Sequence, residues 1–182
     1  PHETWYRVTG DLASGRPPVF ILHGGPGAAH NYVDSYKLLS GTGRAVVHYD
    51  QLGCGLSTHL PDVDKGYWTP QLFVDELDNL VDHLGQRKAF HVLGQSWGGM
   101  LAAELAAQRP DAVKGLVLIA PIGLWQEDAP YTVANWTALS FPEIMETLFH
   151  NPAHPRVVKR MTPPADEDAA AMWTVNFIWT LG

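Results

Sequence analysis

The sequence has one cysteine, Cys54, among 182 residues. A single thiol supports neither an internal disulfide framework nor a multi-cysteine metal site. Basic residues are also scarce: 12 Lys and Arg stand against 19 Asp and Glu, a formal net charge of −7. Phosphate neutralisation needs clustered Lys and Arg, and without them nucleic acid is not an expected partner. No window approaches 18 consecutive apolar residues, so no membrane span is expected. No signal peptide is read at Pro1 and a cytoplasmic location is expected, although without an initiator Met a leader could already have been removed. Internal repeats and low-complexity tracts are absent. What remains is a chain of 46% hydrophobic and 17% charged residues, long enough for one domain with a sizeable core.

Along the chain, short apolar runs alternate with helical patterns. An extended piece at Thr4 to Val8 precedes a turn-rich stretch, Gly10 to Pro18, and the apolar run Val19-Phe20-Ile21-Leu22. That run stops at His23-Gly24-Gly25-Pro26-Gly27, and Tyr32, Val33, Tyr36 and Leu39 then fall at helical spacing. Ala45-Val46-Val47 is a second apolar run, entering His48-Tyr49-Asp50-Gln51 and a glycine turn at Gly53 to Gly55. Thr69-Pro70 supplies a hydroxyl cap and a proline at the first helical position. Phe73, Leu77, Leu80, Val81 and Leu84 line one face of that helix, which Gly85 ends. Ala89 to Leu93 is a third strand, Met100 to Gln108 an alanine-rich helix, and Gly115 to Ala120 a last strand. Apolar strands separated by amphipathic helices imply an α/β fold, with a mostly parallel sheet covered on both faces. Residues 1–120 read as this core. Residues 121–182 carry tryptophans among proline-broken segments and read as a helical lid.

Two motifs carry chemistry. Gly94-x-Ser96-x-Gly98 lies between an apolar strand and a helix. A tight turn there lifts the serine hydroxyl clear of the sheet and sets it at a helix N-terminus, where unpaired N–H groups favour negative charge. His23-Gly24-Gly25-Pro26-Gly27 follows an earlier strand. A tetrahedral oxyanion needs two preorganised N–H donors, here Trp97, after the serine, and Gly25 in the earlier loop. Taken alone, each motif also reads as a glycine-rich turn with no catalytic role.

His23-Gly24-Gly25-Pro26-Gly27, then Asp50-Gln51-x-Gly53-x-Gly55-x-Ser57, then Gly94-x-Ser96-Trp97-Gly98-Gly99 resembles the proline iminopeptidase family of α/β-hydrolases over roughly residues 4–120. The resemblance implies an α/β-hydrolase fold, Ser96 as nucleophile and an oxyanion hole from the Gly25 and Trp97 N–H groups. His23, Gly24, Pro26, Gly27, Asp50, Gln51, Gly94 and Gly98 would shape the supporting loops. It further implies a small-molecule, peptide or amide substrate, with release of an N-terminal proline or similar residue, or hydrolysis of amino-acid amides. No cofactor and no metal are expected. Two features depart from the pattern. Leu52 stands where many members carry arginine, followed by Cys54, which reads as a small buried or turn residue. The tail, Pro121 to Trp125 and Trp179 to Gly182, looks more like lids of esterases or C–C bond hydrolases, and no acidic residue in it matches those that hold a free amino group.

A serine nucleophile needs a histidine base and a carboxylate that orients it, in the order Ser, acid, His in this fold. After Ser96 the histidines are His150 and His154 only, both beside prolines with no strand before them, and Asp128, Asp166 and Asp168 are no better placed. The triad acid and base are therefore expected beyond Gly182. Among earlier histidines, His23 is expected to support the oxyanion loop, and His48 and His91 to sit in strands. His30, His59 and His83 read as surface or local hydrogen-bonding residues. Two alternatives remain: an esterase or C–C bond hydrolase using the same serine, and a catalytically incomplete fragment.

Overall fold

The computed structural model describes residues 2–121, together with Ala153 and Ala165. The expected lid, His150, His154, Asp128, Asp166 and Asp168 lie outside the described residues.

Five strands form one sheet: β1 (Tyr6–Thr9), β2 (Val19–Leu22), β3 (Val46–Tyr49), β4 (Phe90–Gln95) and β5 (Val113–Ile119). Their order is β1-β3-β2-β4-β5. β1 runs antiparallel to β3, while the β2–β3, β2–β4 and β4–β5 pairs are parallel. From β2 the chain passes to one side to make β3, then crosses to the other side to make β4. Such a reversal opens a crevice at the carboxyl ends of the central strands.

Successive strand residues face opposite ways. Phe20 and Leu22 join Val47, Tyr49 and Val92 in a cluster with Phe73, Leu77 and Val81 of α1 (Pro70–His83) and Leu101 and Leu105 of α2 (Trp97–Gln108). Ile21, Val46 and Leu93 face the other way, onto Val33 of a 3-10 helix, His30–Thr42. Both faces of the strands are thus covered, which is why the runs are continuously apolar rather than alternating. Thr69 caps α1 by accepting the Leu72 N–H at 3.2 Å, and Pro70 occupies its first position. An ion pair from Arg109 to Asp78 ties the end of α2 to α1.

The strands and α1 lie within a few residues of where periodicity sets them. α2 starts earlier than expected, directly after Ser96, and β5 starts at Val113. The segment after the first glycine loop differs in kind, being 3-10 rather than α. With three residues per turn, Val33, Tyr36 and Leu39 fall in one line. Val33 is buried and Tyr36 packs beside it, while Tyr32 leaves that face. No helix among the described residues is long and apolar enough to cross a membrane.

Candidate active site

Three loops meet at the carboxyl edge of the sheet, following β2, β3 and β4. The sharpest is the turn from β4 into α2. Ser96 there has φ 56° and ψ −120°, a left-handed conformation that costs a side-chain-bearing residue strain of order 1–3 kcal/mol. Its neighbours explain how the turn closes. A Cβ on Gly94 would lie 2.1 Å from the Gly98 carbonyl oxygen, and one on Gly98 would lie 2.3 Å from the Leu22 carbonyl oxygen. Only glycine lets the elbow sit this close to β2. The Ser96 N–H is held by the Ile119 carbonyl at 2.9 Å, while its hydroxyl makes no capping bond to the helix it precedes. The Trp97 N–H, first in α2, has no intrahelical acceptor and adds to the positive end of the helix dipole.

The loop after β2 is organised by His23, which is fully buried. Its Nε2 accepts the Gln51 N–H at 2.9 Å, which leaves the proton on Nδ1, and Nδ1 donates to the Gly24 carbonyl at 2.9 Å. Burial lowers its pKa, so the imidazole is held neutral in this tautomer. In a trans peptide the C=O and the following N–H point opposite ways. Drawing the Gly24 carbonyl towards His23 therefore turns the Gly25 N–H away from the imidazole.

Gln51, also fully buried, links this loop to the elbow. Its Nε2 donates to the His23 carbonyl at 2.9 Å, and its Oε1 accepts the Trp97 indole N–H at 2.9 Å. Asp50 holds a different seam. Its Oδ1 accepts the His30 N–H at 2.7 Å and lies 2.8 Å from His30 Nδ1, and its Oδ2 accepts the Leu56 N–H at 2.9 Å. The carboxylate thereby fastens the chain after the glycine loop to the turn after β3. Trp5 stacks on His30 with ring centroids 4.1 Å apart, shielding the pair. His30 is thus a half-buried hydrogen-bonding residue of the loop scaffold, one of the two roles expected of it.

Leu52 points into the core, 5% exposed, and its N–H goes to Glu76 at 3.0 Å. Cys54 is buried, which pushes its thiol up to about 11 and keeps it protonated at neutral pH. Pro26 and Gly27 are exposed at the loop tip. His48 lies buried in β3, donating from Nε2 to the Val33 carbonyl at 3.1 Å, and His91 is half-buried in β4. His59 contacts the Gly55 carbonyl and His83 the Tyr6 hydroxyl. Among the described residues no group of three or more His, Cys, Asp or Glu side chains could hold a metal ion.

Two contributors escaped the sequence reading. Tyr32, assigned only to a helix face, contacts Gly24 and Gln95 through its hydroxyl. Glu76 reaches from α1 to the Leu52 N–H and accepts the Thr4 hydroxyl at 2.6 Å. Its position among apolar helix residues gave no signal, because its partners lie on two distant loops.

Known proteins share this fold. The family model described as alpha/beta hydrolase fold matches residues 17–155. A proline iminopeptidase of Clostridium botulinum is 39% identical over 139 residues, covering 73% of this chain and 46% of that relative. The chain therefore spans about half the length of the curated relatives it matches. The crystal structure of VinJ superposes with a TM-score of 0.70 at 41% identity, covering 99% of this chain and 66% of VinJ. That of a Mycobacterium smegmatis proline iminopeptidase gives 0.65 at 34% identity, again covering 99% of this chain and 66% of the other. With the parallel sheet, the serine elbow and the glycine loop in place, the chain belongs to the α/β-hydrolase fold family.

Proposed function

We propose that this chain carries the nucleophile and oxyanion hole of a serine hydrolase that releases an N-terminal proline or similar residue from short peptides or amides. The observation that carries the reading is Ser96 itself: a left-handed residue between β4 and α2 whose hydroxyl is not spent on capping the helix. The likeness to proline iminopeptidases supports the substrate class.

Ser96 Oγ attacks the carbonyl carbon and its proton passes to a histidine base. The Gly25 and Trp97 N–H groups take the oxyanion, and their spacing is maintained by His23 and Gln51. Collapse of the intermediate breaks the C–N bond, and the amine leaves with the proton returned by the base. Water then attacks the acyl-enzyme ester, gives its proton to the same base, and frees the acid and Ser96. These steps balance without a cofactor. The base and its carboxylate come from outside residues 2–121. In this fold both follow the serine along the chain, and His23, within that span, has both ring nitrogens engaged.

A fluorophosphonate probe followed by intact mass tests the nucleophile. One adduct that maps to Ser96 and disappears in Ser96→Ala is expected, with activity falling about 10⁶-fold, the loss found when a hydrolase serine is removed. Equal labelling of the variant would show the nucleophile to be another residue. Turnover of a short-chain aryl ester without turnover of a proline arylamide would replace the peptidase reading with an esterase.

A further inference from the structure

We propose that Tyr32 is a positioning residue for the oxyanion loop, a strut that fixes the distance between the His23–Gly24 peptide and the serine elbow. The proposal rests on the serine-hydrolase reading above. Tyr32 is 44% exposed, yet its hydroxyl is engaged twice. It accepts the Gly24 N–H and donates to Gln95 Oε1 at 2.5 Å. Gln95 is the last residue of β4 and immediately precedes Ser96. One phenol therefore bridges the glycine loop to the residue beside the nucleophile.

The bridge has a counterpart on the buried side. Gln51 joins the His23 carbonyl to the Trp97 indole, linking the same loop to the residue after the nucleophile. Gly24 is consequently held at both ends: its carbonyl by His23 Nδ1 and its N–H by Tyr32. With both pinned, the Gly25 N–H, which shares a peptide plane with the Gly24 carbonyl, has little freedom to turn, which is what preorganisation of an oxyanion donor requires. Packing leaves no slack, since a Cβ on Gly24 would come within 2.8 Å of both the Tyr32 oxygen and Gln95 Oε1. Partial burial raises the Tyr32 pKa above its usual 10, so the hydroxyl keeps its proton and its donor role at neutral pH. Nothing in the packing explains a tyrosine here, because Val33 and Tyr36 fill the apolar side of this segment.

Tyr32→Phe keeps the ring and removes only the bridging oxygen. In this variant amide hydrogen exchange at Gly24 is expected to accelerate about tenfold, the equivalent of one net hydrogen bond, with β2 amides unchanged. Against a proline arylamide, kcat should fall between about tenfold and 10²-fold at unchanged KM and unchanged melting temperature, because misplacement of a catalytic donor acts on the transition state. A purely structural tyrosine would shift melting and leave kcat alone. Unchanged Gly24 exchange, or unchanged kcat in a protein whose wild type is active, overturns the assignment. Lost Gly24 protection in a protein whose wild type is inactive upholds the strut and overturns the hydrolase reading instead.

Discussion

The interior of the sheet and its carboxyl edge are both buried, but by different chemistry. The interior is held by apolar side chains, with Phe20, Leu22, Val47, Leu77, Val92 and Leu101 all at most 1% exposed. Among the described residues the buried polar side chains are His23, His48, Asp50, Gln51 and Ser57, and all but His48 lie in the loops that follow β2 and β3. Burying a polar group is costly unless it is hydrogen-bonded. The edge meets that condition through specific pairs: His23 with Gln51, Asp50 with His30 and Leu56, Ser57 with Trp5 at 2.9 Å. The interior tolerates any well-fitting apolar residue, whereas the edge tolerates only partners of matching hydrogen-bonding capacity. Stability resides in the first region and geometry in the second.

Substitutions in each region sharpen this contrast. Leu77→Ala, at the centre of the α1 interface, should destabilise by about 2–5 kcal/mol in urea titration, as truncation of a buried leucine does. Gln51→Leu should cost less, about 1–3 kcal/mol, because it leaves the His23 carbonyl and the Trp97 indole N–H without their partner. Its signature lies elsewhere: phosphonylation of Ser96 by the fluorophosphonate probe should slow more than Leu77→Ala slows it. Equal slowing in the two variants would erase the division of labour.

The smallest expected effect is on pH dependence. Burial is the chief cause that lowers the pKa of both His23 and His48 below the ordinary 6.5. Below that value the unfolded chain binds more protons than the folded one. The contribution is therefore fully present above pH 6.5 and is lost as pH falls through 6.5 towards the folded values. Glu76 acts in the opposite sense: burial raises its pKa above 4.5, so its contribution is present below 4.5 and lost as pH rises through the folded value. Urea midpoints should fall from pH 7.5 to 5.5, and His48→Gln should flatten that slope. An unchanged slope would remove His48 from the account.

Much of the core was legible because its determinants are local. Strand positions follow from four-residue apolar runs, and α1 from Thr69, Pro70 and the spacing of Phe73, Leu77 and Leu80. The elbow at Ser96 and the glycine loop after β2 were legible for a related reason. Close backbone approach demands glycine at fixed offsets, and those offsets are written in the chain. The lid expected over 121–182 lies outside the described residues except at Pro121, Ala153 and Ala165.

Residues whose meaning depends on distant partners were not legible. His30 read as a surface or local hydrogen-bonding residue, and only the fold brings in Asp50, twenty positions away, to hold both its N–H and its ring. Glu76 gave no signal in the sequence, and its role rests on Thr4 and Leu52 converging on it. Tyr32 read as part of an amphipathic α-helical face, where a period of 3.6 would have buried it beside Val33 and Tyr36. That segment is instead a 3-10 helix, and Tyr32 reaches Gly24 and Gln95. The positions of the strands along the chain and the elbow follow from the sequence by itself, since periodicity and glycine placement are properties of short segments. The hydrogen-bonded assembly of the glycine loop after β2 was decided by tertiary structure, because every bond in it except that between His23 and Gly24 joins groups that only the folded sheet brings within 3 Å.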